Sequence, residues 1–129
     1  MSGDKILLVE DDSMLQRVIK TALVKEGYLV DTAANGKDAI VLLEQNNYDY
    51  KLMIADIMMP FINGFELVNH VKRSVNGDNI AVIMISSLNN EESILQGFDL
   101  GADDYVKKPL MPSELMVRVK RLLTPKKRG

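Results

Sequence analysis

The sequence predicts a single α/β domain, in which a doubly wound sheet of parallel strands carries helices on both faces. Two observations lead to this prediction. Short apolar runs alternate strictly with segments of helical periodicity, five of each along the chain. The central run, 52–57, is almost continuously apolar, as expected of a strand buried on both faces. A length of 129 residues suits one such domain with its own core.

The apolar runs define the expected strands, and the periodic segments between them define the helices. The strands are expected at residues 5–9, 28–33, 52–55, 80–85 and 104–107. The helices are expected at 13–26, from 36, from the cap at 63, at 90–100, and from 112 to just before 125. Ser13 with Gln16, and Asn63 with Glu66, have the spacing of a capping box, which marks a helix start.

Polar residues directly follow four of these strands. They are Glu10-Asp11-Asp12, Asp56, Ser86-Ser87 and Lys107-Lys108-Pro109. Because right-handed crossovers bring the carboxyl ends of parallel strands to one edge, these groups are expected to converge where ligands bind in open α/β sheets. Each group alone is ordinarily a turn or cap residue, and Asp12 in particular suits a cap. Their coincidence on four strand ends favours a functional site.

The converging carboxylates indicate a metal-dependent site. At about 4 Å and an effective dielectric of ~20, each pair of carboxylates repels by roughly 4 kcal/mol, so a cation is needed to keep them ionised together. Oxygen ligands without cysteine or histidine suit Mg²⁺, with Mn²⁺ as a substitute. Lys108 and Ser86 are suited to phosphoryl oxygens, and Asp56 is suited to be a nucleophile. The pattern predicts Mg²⁺-dependent phosphoryl transfer onto Asp56.

Composition excludes several other classes of protein. The chain has no cysteine, so disulfides and thiolate metal sites are absent, as is common in a reducing compartment. No signal peptide and no apolar run long enough for a membrane span is visible, so we expect a cytoplasmic protein. Residues 1–119 carry 11 basic and 18 acidic groups, a balance of −7, which argues against direct nucleic-acid binding by the domain. Residues 124–129 are expected to be a basic tail or the start of a linker.

Four motifs together resemble the receiver domain of two-component response regulators. They are VEDD after the first strand, DIMMPFINGFEL around the third, MISS after the fourth and GADDYVKKP around the fifth. The resemblance covers residues 1–123 and implies the flavodoxin-like fold with strand order 2-1-3-4-5. It also implies that a sensor histidine kinase or phosphotransfer protein donates the phosphoryl group, and that the surface of the fourth helix, fifth strand and fifth helix controls an effector.

The resemblance also implies a role for each matching residue. Asp56 is the implied phosphoacceptor, and Lys108 binds the phosphoryl group. The metal is held by Asp11 and Asp56, by Glu10 through water, and by the backbone carbonyl of Met58. Ser86 and Tyr105 are the implied switch residues. Met58 and Leu88 flank the attacking water and cannot orient it, which predicts slow self-dephosphorylation.

The last third of the chain looks most like the branch with winged-helix transcription effectors, whose receivers pair through charges. The residues implied for such a dimer face are Asp103, Asp104, Glu114 and Arg118. The fourth helix departs from that pattern, because it offers Ile94 and Leu95 where a basic residue is expected. His70 is expected to be a surface residue away from the site.

An enzyme is the alternative function. A Mg²⁺-dependent phosphohydrolase with an aspartyl nucleophile uses the same residue types, but its Asp-x-Asp motif belongs at the first strand, where this chain has Glu10-Asp11-Asp12. The chain also lacks an inserted cap segment. A dinucleotide-binding module is disfavoured because residues 10–14 contain no glycine for a phosphate loop. We therefore expect a protein that reacts only at its own Asp56, and no turnover enzyme.

Overall fold

The computed structural model describes residues 3–88 and 90–124, in which five strands alternate with five helices. The strands are β1 (Lys5–Val9), β2 (Leu29–Ala33), β3 (Leu52–Asp56), β4 (Ala81–Ser86) and β5 (Asp104–Lys107). The helices are α1 (Ser13–Lys25), α2 (Gly36–Gln45), α3 (Gly64–Arg73), α4 (Glu91–Asp99) and α5 (Pro112–Leu123). The alternation of strand and helix predicted from the sequence is confirmed.

All neighbouring strands are parallel, and their order is β2-β1-β3-β4-β5. The predicted order is therefore also confirmed. Strand β3 lies at the centre of the sheet, where Ile54 is level with Leu8 of β1 and with Ile83 of β4. All five residues of β3 are buried, and the four that precede Asp56 are apolar, as expected of a strand covered on both faces. The carboxyl ends of β1, β3, β4 and β5 meet at one edge, and β2 lies at the side of the sheet.

Side chains alternate between two apolar layers, one on each face of the sheet. In β1, Ile6 and Leu8 pack on the face covered by α1 and α5, where Ile19 and Leu115 are fully buried. Leu7 and the other alternate residues point to the opposite face, which α2, α3 and α4 cover. Burying one apolar side chain of this size contributes roughly 1.5–3 kcal/mol to the stability of the fold. Both apolar layers therefore stabilise the position of β3 between them.

Polar caps set where the helices begin. Asn63 accepts a hydrogen bond from the backbone N–H of Glu66, whose side chain accepts one from the Asn63 N–H, so the predicted capping box of α3 is confirmed. The capping box predicted at Ser13 is wrong. The cap of α1 is instead Asp12, which accepts from the N–H groups of Met14 and Leu15.

Two smaller features differ from the sequence-based expectation, and a third expectation is not tested. Strand β3 continues through Asp56 rather than ending at Ala55, since Asp56 is still paired with Ile85 of β4. His70 is only partly exposed, because its Nε2 lies 2.9 Å from the hydroxyl of Tyr48. Apart from Thr124, the basic tail expected at 124–129 lies outside the described residues.

Among the described residues, no helix has the length and apolar character needed to cross a bilayer.

Candidate functional site

Three carboxylates meet at the carboxyl edge of the sheet, as the sequence predicts. Glu10 and Asp11 follow β1, and Asp56 ends β3. One oxygen of each lies within 4.8 Å of one oxygen of the other two. Glu10 and Asp56 are buried, while Asp11 is exposed. The cluster therefore has two carboxylates set into the protein and one that faces the solvent.

Lys108, which follows β5, supplies the positive charge of the site. Its Nζ lies 2.9 Å from Oδ2 of Asp56 and 3.1 Å from Oε1 of Glu10. Burial lowers the pKa of Lys108, but the hydrogen bonds and charges of Asp56 and Glu10 outweigh that effect, so its pKa is raised overall. Because its pKa is raised, the ammonium group stays charged between the two buried carboxylates. The peptide bond between Lys108 and Pro109 is cis.

The protein environment disfavours the charged form of Glu10. Burial is the largest cause that raises its pKa, to about 7, and the charge of Asp56 adds to the effect. The backbone N–H of Asp12 donates to Oε2 at 3.0 Å and partly offsets the cost of burial. Lys108 lies at ion-pair distance from Oε1, yet this buried oxygen has no partner of good hydrogen-bond geometry among the described residues. Oε1 of Glu10 can therefore accept a further hydrogen bond or contact a cation.

Backbone geometry fixes the position of Asp56. The N–H of Met58 donates to its Oδ1 at 3.1 Å, so each carboxylate oxygen has one donor from the protein. The start of α3 packs directly on the same segment, because Gly64 N–H donates to the Ile57 carbonyl at 2.9 Å. A Cβ at position 64 would lie 2.5 Å from the Asp56 carbonyl oxygen, so only glycine allows this approach.

Ser86 and Tyr105 are linked through the backbone of Leu88. The N–H of Leu88 donates to Ser86 Oγ at 2.9 Å, and its carbonyl accepts from the Tyr105 hydroxyl at 2.6 Å. Ser86 is fully buried and Tyr105 is 8% exposed. Burial raises the pKa of Tyr105, which keeps its hydroxyl protonated as a donor. The two residues implied to act as a switch are therefore joined through the backbone of one residue, Leu88.

The charged residues expected on a dimer face are engaged within one chain. Asp104 is buried, and both of its oxygens accept from Arg118, at 2.8 and 2.9 Å. Arg121 also donates to Asp104, at 3.1 Å, and Glu114 lies 3.4 Å from Arg118. Asp103 points elsewhere and accepts from the Val82 N–H at 2.8 Å. An intermolecular charge network would have to replace these pairs.

Sequence reasoning missed one side chain that holds the site in shape. The Gln16 amide donates to the carbonyl oxygens of Glu10 and Ala33, at 3.0 and 3.2 Å, and so ties the ends of β1 and β2 together. The sequence pattern identifies Gln16 only as part of a capping box. Its position one turn into α1, close to the ends of two adjacent strands, is the signal for this second role.

The donor set fits a hard divalent cation. All the side-chain ligands in the cluster are carboxylate oxygens, and one buried oxygen of Glu10 is unsatisfied. Lys108 supplies one positive charge against three carboxylates, which leaves an excess of negative charge. The residues that would hold the ion are Asp11 and Asp56, with Glu10 close by.

Comparison with known proteins gives consistent matches. The family profile described as the response regulator receiver domain matches residues 6–120. The response regulator SaeR of Staphylococcus aureus strain USA300 is 39% identical over 123 residues, which are 95% of this chain and 52% of SaeR. The chain thus spans about half the length of this relative.

Solved structures agree over nearly the whole chain. The receiver domain of Francisella response regulator 1452 is 33% identical, with a TM-score of 0.85 over 93% of this chain and 96% of that chain. The receiver domain of a signal transduction histidine kinase from Syntrophus aciditrophicus is 31% identical, with a TM-score of 0.87 over 98% and 95%. The chemotaxis protein CheY4 of Vibrio cholerae is 27% identical, with a TM-score of 0.87 over 95% and 100%.

Proposed function

Because this chain belongs to the receiver-domain family of response regulators, we propose that it accepts a phosphoryl group on Asp56. The proposed donor is a phosphohistidine on a sensor histidine kinase or on a phosphotransfer protein. One observation carries the proposal. Asp56 ends the central strand with one oxygen 2.9 Å from the Lys108 ammonium and the other 3.1 Å from a backbone N–H, beside two further carboxylates. This arrangement orients a nucleophilic carboxylate beside charges that suit a phosphoryl group.

In the proposed reaction, a carboxylate oxygen of Asp56 attacks the phosphorus while the bond from phosphorus to the donor imidazole nitrogen breaks. The electron pair of that bond returns to the imidazole. Lys108, already 2.9 Å from Asp56, is placed to contact a phosphoryl oxygen. The protein's contribution is mainly position and charge, which is what phosphoryl transfer requires.

We assign the metal as Mg²⁺, with Mn²⁺ as a substitute, held by Asp11 and Asp56. Glu10 would act through water, and the carbonyl of Met58 would complete the protein ligands. When bound, the ion neutralises negative charge on the carboxylates and on the phosphoryl oxygens. The excess of carboxylates over cations in the cluster supports this assignment.

Signalling would follow from new hydrogen bonds at the site. Phosphorylated Asp56 offers acceptor oxygens to Ser86, whose hydroxyl now accepts from the Leu88 N–H. Because Leu88 also binds Tyr105, movement of Ser86 would be transmitted to β5 and to the surface formed by α4, β5 and α5. Shifting such an equilibrium from 1:99 to 99:1 takes about 5.5 kcal/mol. Two to four charge-assisted hydrogen bonds of about 1.5–3 kcal/mol each supply that free energy.

We propose that the surface formed by α4, β5 and α5 controls an effector domain or a partner protein. The proposed effector is a winged-helix transcription domain. Its support is the resemblance of the last third of the chain. The dimer on phosphorylation receives less support from the contacts, because Asp104, Glu114 and Arg118 are already paired within one chain. We also propose that the protein is cytoplasmic. It would react at its own Asp56 and would not turn over a separate substrate.

Incubation with acetyl phosphate and Mg²⁺ tests this function. We expect the intact mass to rise by one phosphoryl group, and chelation of the metal to prevent the rise. The product should be an acid-stable but base-labile acyl phosphate, and the oligomeric state should be measured on the same sample. Continuous release of phosphate from a phosphomonoester, without a stable adduct, would instead identify the aspartyl phosphohydrolase.

The lifetime of the acyl phosphate is a second measurable property. Met58 and Leu88 line one groove beside Asp11, and neither side chain hydrogen-bonds to water. We expect the double variant Met58→Asn, Leu88→Glu to lose phosphate about tenfold faster, since orienting one water by general base or hydrogen bond changes a rate by that order or more. Decay of the labelled protein after removal of the donor measures the rate. An unchanged decay rate would contradict the assignment.

A further inference from the structure

Phe61 occupies an unfavourable backbone conformation in the loop between β3 and α3. The Ile62 N–H donates to the Pro60 carbonyl at 3.0 Å, and Phe61 between them has a φ of 71°. A hydrogen bond from i+2 to i with a positive central φ is characteristic of the rarer and more strained γ-turn. Glycine adopts this conformation without steric cost, whereas a bulky residue is an outlier.

Among the described residues, two others that are not glycine have a positive φ and evident compensation for it, whereas Phe61 has little. Asn47 has a φ of 53°, which asparagine tolerates well. Tyr48 has a φ of 58°, but its hydroxyl binds His70 and its ring is partly buried. Phe61 is 78% exposed, and the Lys37 ammonium lies 6.0 Å from the centroid of its ring. An exposed cation–π contact at that distance contributes little.

The strained aromatic residue lies at the edge that a phosphodonor must approach. Asp56 is only 3% exposed and opens to the carboxyl edge of the sheet. Four large apolar side chains are exposed on segments that follow strands at this edge, and we call them the apolar rim. They are Met14, Met58, Phe61 and Met111. A backbone outlier kept at a functional edge, with an exposed side chain, is a reason to look for a binding role.

Charge alone does not favour the approach of a donor. Residues 1–119 carry a balance of −7, the site holds three carboxylates, and a phosphohistidine is itself anionic. Long-range attraction between the domain and the reacting group is therefore weak. The affinity for a protein donor must therefore come from short-range contacts around the site. The exposed side chains of the apolar rim can supply such contacts. Exposed aromatic side chains and methionines are the types enriched in protein interfaces.

We propose that Phe61 is a specificity-determining anchor, which inserts into an apolar pocket of the protein phosphodonor and so aligns its phosphohistidine with Asp56. This inference rests on the proposed function, because it assumes that Asp56 accepts a phosphoryl group. Small phosphodonors cannot use the anchor, so its effect is confined to protein donors.

The test compares two donors on the variant Phe61→Gly. The protein donor is the phosphorylated sensor kinase that labels the wild-type chain fastest among a purified panel, and the small donor is acetyl phosphate. For the kinase we expect kcat/KM to fall about tenfold, chiefly through KM, as removal of an interface anchor commonly does. Labelling by acetyl phosphate should stay within about twofold of the wild type. Because glycine relieves the strained turn, the variant should unfold at an equal or higher temperature.

Two control variants separate docking from other roles. Lys37→Ala removes the cation beside the ring, and Val75→Ala shortens an apolar side chain that is 91% exposed in the loop after α3. Both should react normally with both donors. If Lys37→Ala reproduces the kinase defect, Phe61 acts within the chain and the inference fails.

Other outcomes would also overturn the inference. Equal losses with both donors would mean that Phe61 shapes the reaction site, and unchanged kinase transfer would mean that it contacts no donor. Self-association of the wild type that Phe61→Gly abolishes, with kinase transfer intact, would assign the rim to a second copy of the chain. Failure of acetyl phosphate to label wild-type Asp56 would instead contradict the proposed function itself.

Discussion

Replacing Asp56 with asparagine is expected to abolish phosphoryl labelling by acetyl phosphate and by a kinase. The amide has the shape of the carboxylate but lacks the anionic oxygen that attacks phosphorus, so no acyl phosphate can form. The Lys108 ammonium and the Met58 N–H donate to different oxygens of Asp56, so the single carbonyl oxygen of the amide can keep only one of these hydrogen bonds, but the side chain keeps its shape and the variant should fold. Intact mass after incubation with donor and Mg²⁺ measures the effect.

Asp12→Asn is the matched control for this variant. Asp12 lies on the same edge and undergoes the same change of charge, but it is exposed and caps α1. Because asparagine caps a helix about as well as aspartate, this variant should fold and label as the wild type does. Labelling that survives in Asp56→Asn and disappears in Asp12→Asn would show that the acceptor has been assigned to the wrong strand.

The positions of the reactive groups could be predicted because they follow from strand ends. Glu10, Asp11, Asp56 and Lys108 each come directly after an apolar run, and the rule that parallel strands end at one edge brings them together. Residues that follow the strands of one parallel sheet cannot lie at opposite edges of it. The 4.8 Å cluster of carboxylates and the ion pairs of Lys108 are the result.

Hydrogen-bond partners could not be predicted in the same way, because they depend on the path of the backbone. Asp12 and Ser13 are both good cap residues, and only the exit of the chain from β1 places Asp12 at the cap of α1. Asp103 and Asp104 are adjacent in sequence but engage different partners, Val82 and Arg118. The strained φ of Phe61 has no signal in its residue type, since phenylalanine is not a turn residue.

Lys108→Met is expected to destabilise the metal-free domain and to make it depend more strongly on Mg²⁺. The substitution leaves Glu10 and Asp56, both buried, without their shared cation. Breaking a fully buried ion pair costs about 3–5 kcal/mol, but the Lys108 side chain is 23% exposed, so water replaces part of the interaction. We therefore expect a loss of about 2 kcal/mol in the free energy of unfolding, measured with a denaturant.

Mg²⁺ should then recover more stability in the variant than in the wild type. A ligand that binds only the folded state stabilises it by RT ln(1 + [L]/Kd), and removing the competing ammonium favours a cation at the carboxylates. The expected result is a larger rise of the melting temperature on titration with Mg²⁺, although labelling by acetyl phosphate stays impaired because a phosphoryl oxygen has lost its ammonium partner.

Lys107→Met provides the comparison. Lys107 is the neighbouring residue, its side chain is exposed, and it forms no ion pair within residues 3–88 and 90–124. This variant removes the same charge without touching the cluster, so its stability, its response to Mg²⁺ and its labelling should match the wild type. If both lysine variants respond to Mg²⁺ alike, the effect comes from net charge. If only Lys108→Met gains, the ammonium and the metal share the same carboxylates, and Lys108 is a cation that holds the site together until the metal and the phosphoryl group arrive.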